Sequence, residues 1–136
     1  MRSENAIYNI LKEGNNMMKQ YTTLLFDVDD TLLDFDAAEA VALPLVCKEF
    51  GLTYSEEVRN YYRAVNDELW RALELGHVTR DELLGTRFTR LFQAFGHTVD
   101  GSVVDERYRD YLVVGQQFVP EADQVIQTLS KQHDLF

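Results

Sequence analysis

The sequence predicts an α/β protein dominated by helices, in which a helical bundle is inserted near the start of a parallel-sheet core. Three observations carry that expectation. The stretch Thr22 to Phe26 is short and mostly apolar, and it ends abruptly in acid at Asp27, Asp29 and Asp30. From Asp36 to about Gly115, apolar residues recur at helical spacing in segments closed by glycines. A proline turn, an amphipathic stretch and the beginning of a second strand follow, up to Phe136.

Composition bounds the classes of function. The 136 residues, 46% of them hydrophobic, suffice for one core and are too few for two comfortable domains. A net charge of -10 argues against capture of nucleic acid or an anionic membrane surface. A single cysteine, Cys47, excludes an internal disulfide framework. Lying among Leu45, Val46 and Phe50, it reads as a buried structural thiol. Neither a membrane-length apolar run nor a signal peptide is visible, so a cytoplasmic location is expected.

The expected layout is a frayed or disordered extension over residues 1–18, a partial core over 19–35 and 116–136, and a helical cap over 36–115. The extension holds only Ile7, Ile10 and Leu11 as a weak apolar cluster. Met17 or Met18 is an alternative start to Met1, because Lys12-Glu13-Gly14 can be encoded by a purine-rich ribosome-binding sequence read as protein. N-terminal sequencing of the native product would decide.

Thr22 to Phe26 suits a strand buried on both faces of a parallel sheet. Beyond it, Asp36 and Glu39 have capping-box spacing for a helix over 37–50 that ends at Gly51, with Pro44 expected to kink or shorten it. Ser55 caps the next, through Val58, Tyr62, Val65, Leu69 and Leu73 to Gly76. Thr79 and Glu82 form a capping box for the third, with Leu83, Leu84, Phe88, Leu91, Phe92 and Phe95 facing a core up to Gly96. Ser102 and Asp105 are read as the start of a fourth through Tyr108, Tyr111 and Leu112. After the turn Phe118-Val119-Pro120-Glu121, a helix carries Ala122, Val125, Ile126 and Leu129, and Asp134-Leu135-Phe136 begins a strand.

The chemistry is expected at the acid end of the first strand, since ligands of open α/β sheets bind beyond the carboxyl ends of the strands. Asp27 is placed to attack phosphorus and form an aspartyl phosphate. Asp29 is placed to protonate the leaving oxygen and then deprotonate the attacking water. Paired carboxylates call for a hard cation, and Mg²⁺ is the natural one; the candidate ligands are the Asp27 side chain and, as the family resemblance given below implies, the Asp29 carbonyl. The backbone N–H groups of Asp29 and Asp30 are candidates to hold phosphate, and Thr31 to brace the turn. A bare D-x-D also reads as an acidic Asx-type turn or helix cap, with Asp30 and Thr31 serving only that.

In the third helical segment, Arg80, Arg87 and Arg90 read as a solvated face, pairing with Asp81 or Glu82. Tyr61, Tyr62 and Trp70 read as packing. His77, His97 and His133 show no metal-ligand spacing, and no catalytic role is assigned to them.

The segment Leu25-Phe26-Asp27-Val28-Asp29-Asp30-Thr31-Leu32-Leu33-Asp34 resembles the first signature motif of the haloacid dehalogenase (HAD) superfamily, most of whose members are Mg²⁺-dependent phosphatases. With Leu69-Trp70-Arg71-Ala72 and Val78-Thr79-Arg80-Asp81-Glu82-Leu83, it looks most like the pyrimidine 5'-nucleotidase subgroup. The resemblance runs from Lys19 to Phe136. It implies a HAD-like Rossmannoid core, truncated after its first strand and the start of its second, with an inserted helical-bundle cap. The implied substrates are nucleoside 5'-monophosphates, including non-standard pyrimidine ones.

The phosphate-binding Thr or Ser, the Lys and the acidic pair that the resemblance calls for would follow the second strand. The sequence ends before them, so this polypeptide alone is expected to be nearly inert and to be a truncated, frameshifted or excerpted form of a longer hydrolase. Three alternatives stand beside the phosphatase. One is a catalytically incomplete helical binding module. Another is a sugar-phosphate mutase or 2-haloacid dehalogenase relative. The last is a phospho-receiver domain, disfavoured because the middle of the chain reads helical.

Overall fold

The structure, a computed structural model, describes residues 21–136. The expectations for the extension and for the alternative starts lie outside the described residues. The described chain falls into two compact units, one of residues 21–35 with 117–136, the other Asp36–Gln116.

The first unit is built on a two-stranded parallel sheet of β1 (Thr23–Leu24) and β2 (Asp134–Leu135). Thr23 lies opposite Asp134 and Leu24 opposite Leu135. Flanking bonds extend the ladder: Asp134 N–H donates to Thr22 (2.8 Å), Phe136 N–H to Leu24 (3.0 Å) and Phe26 N–H to Phe136 (2.8 Å). The strand is shorter than the Thr22–Phe26 expected, and it is not buried on both faces. Leu25 is 82% exposed and Phe136 76%. Parallel strands need cover on both sides, and two of them supply none to each other's faces.

The second unit is helical. It contains all of α1 (Phe35–Glu49) except its first residue, together with α2 (Glu56–Glu74), α3 (Arg80–Ala94) and α4 (Gly101–Val114). A fifth helix, α5 (Ala122–Leu129), belongs to the first unit. Gly51, Gly76 and Gly96 sit at positive φ (80°, 73° and 81°), the left-handed conformation that closes helices and that glycine adopts without strain.

The capping chemistry read for α2 and α3 is present. Ser55 accepts from Val58 N–H at 3.2 Å, and Thr79 and Glu82 cap each other's backbone at 3.2 and 2.7 Å.

Three details differ from expectation. Helix α1 runs through Pro44, because burial of Leu43, Val46 and Cys47 on either side outweighs one lost backbone bond. Asp36 does not cap α1 but lies inside its first turn and pairs with Arg63 at 2.8 Å. Helix α4 is capped by Asp100, which accepts from Ser102 N–H at 3.0 Å, and Asp105 is buried one turn further on.

The main core joins α1, α2, α3 and α4 through Leu43, Val46, Tyr62, Phe88, Phe92 and Tyr108, all fully buried. Tyr62, Phe88 and Tyr108 form an aromatic triad with centroids 5.0 to 5.7 Å apart. A smaller cluster of Val65, Leu69 and Leu83 continues it between α2 and α3.

Arg87 lies within this core instead of on a solvated face. Its guanidinium pairs with the Asp105 carboxylate at 2.6 Å, donates to Tyr62 Oη at 3.3 Å and Asn66 Oδ1 at 3.1 Å, and lies over the rings of Phe88 and Tyr108. Arg109 takes the other Asp105 oxygen at 2.9 Å. Arg90 pairs with Glu68 across to α2, so the expected partners Asp81 and Glu82 give way to carboxylates on other helices. No helix among the described residues is long and apolar enough to cross a membrane.

Candidate active site

The acid loop begins where the β1 ladder ends. Val28 anchors it: its carbonyl accepts from Leu32 N–H at 2.9 Å and Leu33 N–H at 3.0 Å, which folds residues 28–33 into a tight turn. Asp30, at φ 57°, supplies the left-handed residue the turn needs, a conformation Asp tolerates because its short side chain bonds locally. That side chain accepts from Phe35 N–H at 3.1 Å, so Asp30 caps the start of α1.

The loop's exit is pinned by a second segment. Asp34 N–H donates to Gln117 at 2.8 Å and Val119 N–H to Leu32 at 2.9 Å, with Leu33 bridged antiparallel to Phe118. From sequence, residues 118–121 read only as a turn. The adjacent apolar pair Phe118-Val119 before Pro120 was the available signal, but it is too short to stand alone.

Each expected site residue can now be placed. Asp27, directly after the last ladder bond at Phe26, is exposed, and one carboxylate oxygen accepts from Thr31 Oγ1 at 3.3 Å. Thr31 therefore braces Asp27 and leaves its other oxygen without a protein hydrogen bond among the described residues. Asp29 is exposed, two residues along, and its backbone forms a bridge with Leu33. The Asp30 N–H does not stand free to hold phosphate. It donates to the Leu33 carbonyl at 2.8 Å, because the left-handed turn directs it inward.

The loop offers the kind of donor that a hard cation takes, in a small number. Asp27 and Asp29 offer only oxygen donors, and no group of three or more His, Cys, Asp or Glu converges among the described residues. Mg²⁺ is commonly held by one or two carboxylates, the remaining positions going to phosphate oxygens and water, so two donors fit that ion and would not fit a closed all-protein cage.

Comparison with known proteins adds an independent line. No family model matches the chain. It is 44% identical over 119 residues to YfnB of Bacillus subtilis (strain 168), named as a HAD-hydrolase; the match covers 88% of this chain and 51% of that protein. It is 47% identical over 115 residues to the pyrimidine 5'-nucleotidase PynA of Streptococcus pneumoniae (strain ATCC BAA-255 / R6), covering 85% of this chain and 44% of that one. The fold superimposes with a TM-score of 0.81, at 44% identity, on a magnesium-bound crystal structure of the Bacillus subtilis protein described as revealing interdomain movement; this match covers 86% of this chain and 51% of that one. The chain thus spans about half the length of the curated relatives it matches. By sequence identity, by superposition and by its order of strand, acid loop, helical insertion and second strand, the chain is related to the HAD-type hydrolases.

Proposed function

We propose that the chain carries the nucleophile-bearing segment of a Mg²⁺-dependent phosphomonoesterase acting on nucleoside 5'-monophosphates, pyrimidine ones foremost. The observation that carries this is Asp27, held at the strand end by Thr31 with Asp29 two residues on, in a chain related to a HAD-hydrolase and a pyrimidine 5'-nucleotidase.

In this reading an Asp27 oxygen attacks phosphorus and the ester P–O bond breaks. Asp29 gives its proton to the leaving oxygen and then takes one from the water that displaces phosphate from Asp27. The Asp29 N–H, which donates to no backbone carbonyl among the described residues, remains a donor for a phosphate oxygen, whereas Asp30 serves the turn. The Asp27 carboxylate and Asp29 carbonyl are the ligands for Mg²⁺, which when bound supplies positive charge against the phosphate. The helical unit is assigned the work of a cap that excludes water and selects the leaving group. The chain's single, fully buried thiol suits a cytoplasmic setting.

The test is phosphate release from a panel of nucleoside monophosphates with Mg²⁺, for this chain and for one extended to the natural stop codon. Turnover is expected only from the extended form. Asp27→Asn should abolish it, and Asp29→Asn should reduce it about 10²–10⁴-fold. Activity that survives Asp27→Asn would overturn the assignment. A non-enzymatic helical module is the competing reading, supported by the self-contained core of the helical unit. It predicts no turnover from either form.

A further inference from the structure

We propose that Asp30 is a positioning residue, which aims the Asp29 carbonyl outward at the cation by holding the peptide between the two residues in one orientation. The inference rests on the functional reading above for the identity of the cation, and on the geometry of the turn for the part Asp30 plays.

The Asp30 N–H donates to the Leu33 carbonyl at 2.8 Å, so it points into the turn. The peptide joining Asp29 to Asp30 is trans, and in a planar trans peptide the C=O points opposite to the N–H. The Asp29 carbonyl therefore faces away from Leu33. It accepts no backbone hydrogen bond among the described residues, whereas the neighbouring Val28 carbonyl accepts from Leu32 and Leu33 inside the turn. The bond that withdraws the Asp30 N–H from phosphate binding is thus the one that presents a carbonyl oxygen to a hard cation.

Two properties of residue 30 maintain that orientation. Its φ of 57° is left-handed, a conformation that Asp, Asn and Gly reach at less cost than other residues. Its carboxylate accepts from Phe35 N–H at 3.1 Å, which fastens the turn to the first residue of α1. Neither task requires a negative charge, since asparagine adopts the same conformation and caps helices equally well. A carboxylate that acted on the cation directly would require it. The two roles therefore make opposite demands on Asp30→Asn.

The experiment is Mg²⁺ titration of the protein at its full natural length, followed through the amide chemical shifts of residues 27–35, with the Mg²⁺ concentration for half-maximal phosphate release measured alongside. Asp30→Ala loses the cap and disfavours the left-handed turn, and should weaken Mg²⁺ binding about tenfold or more. Asp30→Gly keeps the turn and loses the cap, and should weaken binding about two- to threefold. Asp30→Asn should stay within about twofold of the unsubstituted protein. Saturating Mg²⁺ should restore turnover in Asp30→Ala, which a general loss of fold would not allow. Three results would overturn the proposal: no Mg²⁺-dependent shift in the unsubstituted protein, an Asp30→Ala variant that binds Mg²⁺ undiminished, or an Asp30→Asn variant that loses as much as Asp30→Ala and so makes the charge itself the agent. The expected order of Mg²⁺ binding in a protein that releases no phosphate upholds the positioning role and counts against the phosphatase. Turnover that needs Asp27 but is indifferent to all three substitutions does the reverse.

Discussion

The helical unit and the acid-loop unit divide the molecule by how they treat apolar surface. In the first, aromatic and aliphatic side chains meet one another within the unit, and even a cation, Arg87, is buried because Asp105, Tyr62 and Asn66 satisfy it. In the second, a two-residue ladder leaves Leu25 and Phe136 in solvent, and tight hydrogen bonds hold only a loop of acids. The difference teaches that the reactive residues and the residues that hold the fold are separable here. Local stability is therefore expected to be high in one unit and low in the other.

Truncation in the aromatic triad gives the strongest test of that contrast. Phe88→Ala should lower the unfolding free energy by about 3–5 kcal/mol in denaturant titration, because Phe88 is fully buried between Tyr62 and Tyr108. A small loss would mean the helical unit is loosely packed. Next is Arg87→Met, which leaves Asp105 in the core with only the more exposed Arg109 as a cation. A loss of about 3 kcal/mol is expected, at the low end for a broken buried pair because Arg109 remains.

Thr79→Ala should cost about 1 kcal/mol through loss of the α3 cap, seen as a lower melting midpoint. Its effect should depend on pH. Hydrogen bonds from the Thr79 backbone and hydroxyl hold Glu82 below its ordinary carboxylate value of 4.5. A hydrogen bond from Arg90 does the same for Glu68, and bonds from Tyr111 and then Arg107 do so for Glu49. A lowered folded value means these groups stabilise the fold fully above about pH 4.5. That contribution is lost as pH falls through the lowered values. Melting scans from about pH 5 to about pH 3 should show the loss, and Thr79→Ala should flatten the part due to Glu82. The smallest effect belongs to the other unit, where Phe136→Ala should change stability by less than about 0.5 kcal/mol, since its ring is already in solvent. A large effect there would erase the contrast.

Much of this contrast was legible in the sequence where information is local. Ser55 and the Thr79–Glu82 pair act on amides within three residues, so a short motif determines them, and Gly51, Gly76 and Gly96 mark helix ends through a backbone conformation only they adopt easily. Asp27, Asp29 and Thr31 were legible for the same reason. Arg87 was not, because its partner Asp105 lies 18 residues away on another helix. A signal was nonetheless present: Arg87 falls four residues from both Leu83 and Leu91, on the apolar stripe of α3. The exposure of β1 was also misjudged, since an apolar run reports what a strand can bury, whereas among the described residues β1 has a partner on one edge only. The engagement of Asp30 N–H was invisible for a third reason: it depends on the handedness of one turn.

Cys47 gives the helical unit a built-in clock. It is the chain's only cysteine, it is fully buried at the back of α1, and burial pushes its thiol up to about 11, so in the closed state it is neither reachable nor ionised at neutral pH. Alkylation in native buffer must then wait for the unit to open. The labelling rate of this one sulfur counts those openings without any probe being added to the molecule.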